Sequence, residues 1–115
     1  MKLYYSPGAC SLSPHIALKE AGVPHDLVKV DLKTKKLADG GDFLKVSAKG
    51  QVPVLVLDDG SVFTEGPVIV QVIADRAPEA KLAPAAGTMD RYRLQEWLNF
   101  LTSELHKNFG PLFQP

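Results

Sequence analysis

Gly50-Gln51-Val52-Pro53-Val54-Leu55-Val56-Leu57-Asp58-Asp59-Gly60-Ser61-Val62-Phe63-Thr64-Glu65-Gly66-Pro67 is the stretch that decides the fold. A run of aliphatic residues entered through a proline reads as a buried strand. The turn Asp58-Asp59-Gly60 and the β-rich run Ser61 to Thr64 make it the first arm of a hairpin. Glu65-Gly66-Pro67 then opens a helix with Pro67 near its first turn. Val68, Ile69, Val72 and Ile73 share one face of that helix until Ala77-Pro78. This half of the pattern is ββα.

Upstream, Lys2 to Tyr5 is a short aromatic and aliphatic run stopped by Ser6-Pro7-Gly8, the pattern of a buried strand entering a loop. Ser11, Ser13 and Pro14 suit a helix start, and Ile16, Leu18 and Ala21 continue it until Gly22 and Pro24. Leu27, Val28 and Val30 form a second strand. The polar Lys33-Thr34-Lys35-Lys36 region leads through Gly40-Gly41 to a short helical candidate at Asp42 to Val46. Two strands flanking a helix form a βαβ unit, so the expected order is βαβ followed by ββα, an α/β domain over residues 1–77. Pro78 to Gly87, with prolines, alanines and a glycine, reads as a linker. Thr88 caps a last helix on which Leu94, Trp97, Leu98, Leu101 and Leu105 recur at helical spacing until Gly110-Pro111 ends it. Residues 88–115 therefore read as the first helix of a second, helical domain whose remainder is absent.

Composition narrows the function. The 115 residues carry 13 Lys plus Arg against 13 Asp plus Glu, and 45% are hydrophobic. With no excess of positive charge, a dedicated nucleic-acid or anionic-membrane binder is not expected. No stretch approaches the ~20 apolar residues of a membrane span. The N-terminus lacks the apolar core of a secretory signal, which predicts a cytoplasmic protein. The single cysteine, Cys10, leaves no internal disulfide, and no Cys/His spacing suggests a metal site.

Cys10 lies between a strand-exit loop and a helix start, where backbone N–H groups and the helix dipole favour a reactive thiolate; the alternative is a small buried hydrophobe. Without a second cysteine at Cys-x-x-Cys spacing, any redox cycle borrows an external thiol. The Val52-Pro53 bond is either cis, presenting the Val52 backbone to an extended peptide ligand, or an ordinary strand entry. Glu65-Gly66 places a carboxylate beside helix N–H groups, suited to an amino-acid zwitterion or to plain capping. Asn99, Ser103 and His106, spaced by four and three, share a helix face that either lines a cleft or is solvated. His15 and His25 show no comparable grouping in sequence.

Met1-Lys2-Leu3-Tyr4-Tyr5-Ser6-Pro7-Gly8-Ala9-Cys10-Ser11-Leu12, Gly50-Gln51-Val52-Pro53, Leu57-Asp58-Asp59-Gly60, Thr64-Glu65-Gly66, and Glu96-Trp97-Leu98-Asn99 with Glu104-Leu105-His106-Lys107 together resemble a bacterial beta-class glutathione transferase. The resemblance runs through essentially the whole chain. It implies a thioredoxin-like βαβ-ββα domain followed by the start of an all-α domain. It also implies that glutathione is the co-substrate, that Cys10 contacts or covalently pairs with its sulfur, and that Val52 before a cis Pro53 bonds its backbone. Glu65 and Gly66 are then expected to hold its γ-glutamyl end and Lys35 to face its glycyl carboxylate. Asn99, Ser103 and His106 are expected to complete the site, with His106 near the sulfur and Lys107 nearby. Conjugation to a small electrophile, a detoxification activity in the cytoplasm, and a homodimer follow from the same likeness. Ser47-Ala48-Lys49-Gly50 departs from the Asn-Pro usual before the Lys/Arg-Gly turn. Members of the family also continue through several helices beyond the point where this sequence stops. A glutaredoxin-like monothiol oxidoreductase and a non-catalytic binding or assembly module are the rival readings.

Overall fold

The structure is a computed structural model that describes residues 1–113. The chain divides into two compact units, Met1–Leu82 and a second beginning at Ala83. In the first, β1 (Lys2–Tyr5), β2 (Asp26–Asp31), β3 (Lys36–Leu37), β4 (Val54–Val56) and β5 (Val62–Thr64) form a five-stranded sheet ordered β3-β2-β1-β4-β5. Only β1 and β2 run parallel, joined by α1 (Leu12–Ala21). The β4–β5 hairpin is antiparallel and leads into α2 (Gly66–Arg76).

Strand periodicity splits the core in two. Leu3 pairs with Leu55 and Tyr4 with Val54, so alternate residues of β1 and β4 enter opposite faces. On one face Leu3 and Leu55 pack with Leu57, with Leu18 of α1 and with Ile69 and Ile73 of α2. On the other, Tyr4 and Val54 pack with Val30, Val52 and Phe43. Both faces are covered, which is why these strands read as continuous apolar runs.

Local chemistry fixes the connections. Gly22 ends α1 in the left-handed region (φ 68°) and donates its N–H to the carbonyls of Leu18 and Lys19. At the β4–β5 turn, Asp59 accepts from the Ser61 N–H at 2.8 Å and Gly60 takes φ 89°. That N–H holds the Asp59 carboxyl below its usual value.

The structure corrects several sequence expectations. The Lys33–Lys36 region is not simply polar loop, because Asp31 accepts from the Lys33 and Thr34 N–H groups and turns the chain into β3. This hairpin is made by an Asx turn, which carries no hydrophobic signal. The helical candidate at Asp42 to Val46 is a single 3₁₀ turn, Phe43–Lys45, capped by the Asp42 carboxylate. β4 starts at Val54, leaving Gly50 to Pro53 as loop. On α2, Ile69 and Ile73 are buried, whereas Val68 is exposed.

In the second unit Thr88 caps α3 (Met89–Phe100), accepting from the Arg91 N–H at 3.2 Å. Arg91 is buried and donates to the Pro84 carbonyl at 2.8 Å. Gly110-Pro111 does not end this helical stretch. The α-winding stops at Phe100, Leu101–His106 is a π-turn, Lys107–Phe109 is 3₁₀, and α4 (Gly110–Phe113) follows. The Thr102 and Ser103 hydroxyls donate back to the Leu98 and Asn99 carbonyls at the point where the winding widens.

Candidate functional site

The β1–α1 loop is shaped by a buried serine. Ser11 accepts from the Ser6 N–H at 3.1 Å and donates to the Ser6 carbonyl at 3.2 Å. Its hydroxyl therefore closes the loop and makes no cap bond to α1. This positioning role was hidden in sequence behind the helix-start preference of serine. The closed loop delivers Cys10, whose Sγ donates to the Val52 carbonyl at 3.3 Å. The peptide bond that follows Val52 is cis. Gly66, first residue of α2, lies close enough to Pro53 that a Cβ there would sit 4.0 Å from the Pro53 Cγ.

Three connections far apart in sequence thus meet: the loop after β1, the loop before β4, and the start of α2. Glu65 occupies that start with φ 73°, a left-handed conformation uncommon for a residue with a side chain. Its carbonyl accepts from the Val68 and Ile69 N–H groups, which fixes its backbone. Lys35, also left-handed (φ 58°), reaches the same loop by donating from Nζ to the Gly50 carbonyl at 2.7 Å. Gly50 itself has φ 63°, a conformation that favours glycine, and a Cβ there would lie 3.0 Å from Leu44 Cδ2, so that side chain would have to shift to admit one. Cys10, Lys35, Val52, Pro53, Glu65 and Gly66 are accordingly linked within the first unit.

The electrostatics of Cys10 reverse the expectation of a thiolate. Cys10 is exposed as a residue, but its sulfur faces the Val52 carbonyl, and α1 begins only at Leu12. Burial of the sulfur pushes the thiol above its ordinary value; the backbone N–H of Cys10 pulls it down, and the Glu65 carboxylate pushes it up. Sequence position supplied the helix start but not the desolvation or the neighbouring carboxylate. The alkylation rate of Cys10 by iodoacetamide, followed by intact mass, is therefore expected to keep rising with pH beyond the midpoint of an unhindered cysteine. A midpoint at or below that of a free cysteine would overturn this assignment.

In the second unit, Asn99 and Ser103 remain together. The Ser103 hydroxyl donates to the Asn99 carbonyl at 2.9 Å, and both line a shallow open depression with Tyr92, Gln95, Glu96 and Phe100. His106 lies outside that depression, exposed at the end of the π-turn. His15 and His25, ungrouped in sequence, have ring centroids 6.5 Å apart, and His15 lies 6.0 Å from Tyr5. Among the described residues, no three His, Cys, Asp or Glu side chains are grouped to hold a metal ion, and no helix is long and apolar enough to cross a membrane.

A parallel β1–α1–β2 unit followed by an antiparallel β4–β5–α2 unit, with a cis-proline loop facing the loop after β1, defines a thioredoxin-like domain. Residues 8–76 match the glutathione S-transferase N-terminal domain family. Glutathione S-transferase GstA of Escherichia coli O157:H7 is 51% identical over all 115 residues, which cover 57% of GstA. A bacterial beta-class glutathione S-transferase of Sphingomonas chungbukensis superposes with a TM-score of 0.98 at 58% identity. A sphingomonad glutathione S-transferase complexed with glutathione does so at 0.97 and 56%. Each superposition covers all of this chain and 57% of the other. The chain belongs to the glutathione S-transferase family. It spans a little over half the length of these relatives.

Proposed function

We propose that this chain is the glutathione-binding part of a cytoplasmic glutathione transferase that activates the glutathione thiol for attack on a small electrophile, the whole protein acting as a homodimer. The observation that carries this reading is the junction of Cys10 with the Val52 carbonyl beside the start of α2. Glutathione is an extended peptide with an amino-acid zwitterion at one end, a thiol in the middle and a carboxylate at the other. The linked residues offer a matching series: the Glu65 carboxylate and the α2 N-terminus for the zwitterion, the Val52 backbone for the peptide, Cys10 for the sulfur, and the Lys35 ammonium for the glycyl carboxylate.

The raised thiol refines the chemistry. A neutral Cys10 donates a hydrogen bond to a glutathione thiolate, whereas a Cys10 thiolate would repel it. Thiol–disulfide exchange at Cys10 requires the deprotonated form: the Cys10 thiolate attacks oxidised glutathione, one Cys10–glutathione disulfide forms, and a glutathione thiolate leaves. That step is slow at neutral pH and accelerates as pH rises. A glutaredoxin-like cycle built on Cys10 is correspondingly disfavoured.

Calorimetric titration with reduced glutathione and intact mass after incubation with oxidised glutathione test the proposal together. The expected result is saturable binding and one adduct that disappears on reduction. In Cys10→Ala the adduct is expected to vanish while binding remains. A folded chain that binds no glutathione would remove the transferase reading and favour an assembly module.

A further inference from the structure

We infer that Lys49 is a positioning residue for the γ-glutamyl end of glutathione, orienting the Glu65 carboxylate from the loop that carries Val52. The inference rests on the glutathione-binding reading above and adds to it a residue that touches no ligand.

Lys49 Nζ donates to the Thr64 hydroxyl at 3.2 Å and lies 3.8 Å from Glu65 Oε1. One ammonium thereby spans from the loop before β4 to the last residue of β5 and the residue that opens α2. Glu65 needs such a restraint. Its backbone is fixed in the left-handed region, but its carboxylate makes no capping bond to α2, so the first turn of its own helix does not set its rotamer. Lys49 draws one carboxylate oxygen toward the loop, and the other is left to face an incoming ammonium. The Lys49 loop is itself tied down, since Lys35 holds the Gly50 carbonyl and the Gly50 N–H donates to Ser47. Glu65 and Val52 are therefore held in mutual register by a side chain from a third position.

Lys49 has a second effect through the same partner. Glu65 is the carboxylate whose charge acts on Cys10, so a cation beside Glu65 shields the sulfur from that charge. Both side chains of the ion pair are more than half exposed, so the effect is modest.

The test uses the full chain and Lys49→Met, which keeps the length of the stem and removes the charge. Glutathione affinity, read by calorimetric titration, is expected to fall about two- to fivefold. The pH midpoint of Cys10 alkylation by iodoacetamide is expected to rise in Lys49→Met and to be insensitive to Lys49 in a Glu65→Gln background. Unchanged affinity in Lys49→Met overturns the inference. So does an alkylation midpoint that ignores Lys49 when Glu65 is present, or one that responds to it equally when Glu65 is replaced. A wild-type chain that binds no glutathione instead overturns the reading on which the inference rests, and the alkylation comparison still shows whether Lys49 and Glu65 are coupled.

Discussion

Glu65→Gln is expected to weaken glutathione binding by about ten- to a hundredfold, the range that follows from losing one charge-assisted hydrogen bond. The substitution preserves size and leaves the backbone contacts intact, because the Glu65 carbonyl, not its side chain, accepts from Val68 and Ile69. What disappears is the negative charge that the proposed function assigns to the ligand's ammonium. The same change acts on Cys10 in the opposite sense. With the Glu65 carboxylate gone, one of the influences holding the thiol high is removed, and the midpoint of alkylation is expected to fall. Unfolding would also free the sulfur from burial and lower the midpoint, so the comparison requires a Glu65→Gln chain whose circular dichroism and urea midpoint match those of the unsubstituted protein. Calorimetry and pH-resolved alkylation on one preparation measure both. Undiminished affinity would place the ammonium elsewhere, and an unmoved midpoint would remove Glu65 from the surroundings of the sulfur.

Phe43→Ala is expected to have the largest effect on stability. The Phe43 side chain is fully buried, with its ring centroid 5.7 Å from that of Tyr4, and it packs with Val30, Val52 and Val54. Large-to-small changes at such positions cost ~3–5 kcal/mol, a large share of the ~5–15 kcal/mol that holds an ordinary domain together. Phe43 is also the piece that covers the second face of the sheet. Its N–H donates to the Lys35 carbonyl, and its carbonyl accepts from Val46 and Ser47, so one residue braces both the β2–β3 turn and the approach to Gly50. Urea denaturation is expected to show the loss. Glutathione affinity of the folded fraction is expected to fall as well, because Val52 loses its support. Ile16→Ala, at a position 52% exposed, is the control and is expected to shift stability by less than about 0.5 kcal/mol. Equal stability of the two variants would show that the Phe43 face contributes no core.

Comparison of these positions shows which signals a linear reading carries. The β4–β5 hairpin was legible because Asp59 and Gly60 have turn chemistry that acts within three residues. α1 and α2 were legible because apolar spacing and Pro or Gly punctuation are local. β3 was not, since two residues paired by virtue of an Asp31 turn leave no periodic trace. The last helix was legible as helical, but its winding was not. Hydroxyl groups at Thr102 and Ser103 are compatible with either α or π geometry until their carbonyl partners are known. Phe43 reads as one more apolar residue in a short helical candidate, and only the sheet behind it makes it a core residue.

The site divides the same way. Cys10, Val52, Pro53, Glu65 and Gly66 stand out from residue type, local spacing and family resemblance, and sequence alone determined their candidacy along with the α/β order that holds them. Tertiary structure decided what they do to one another. It set the Cys10 sulfur against the Val52 carbonyl, brought Glu65 into electrostatic reach of that sulfur, and placed Lys49 beside Glu65. The thiol that a helix start would pull down is thereby pushed up. The physical reason is range: turn chemistry, capping and periodicity act over a few neighbouring residues, whereas desolvation and Coulomb interactions depend on which distant segments the folded chain brings within a few ångströms.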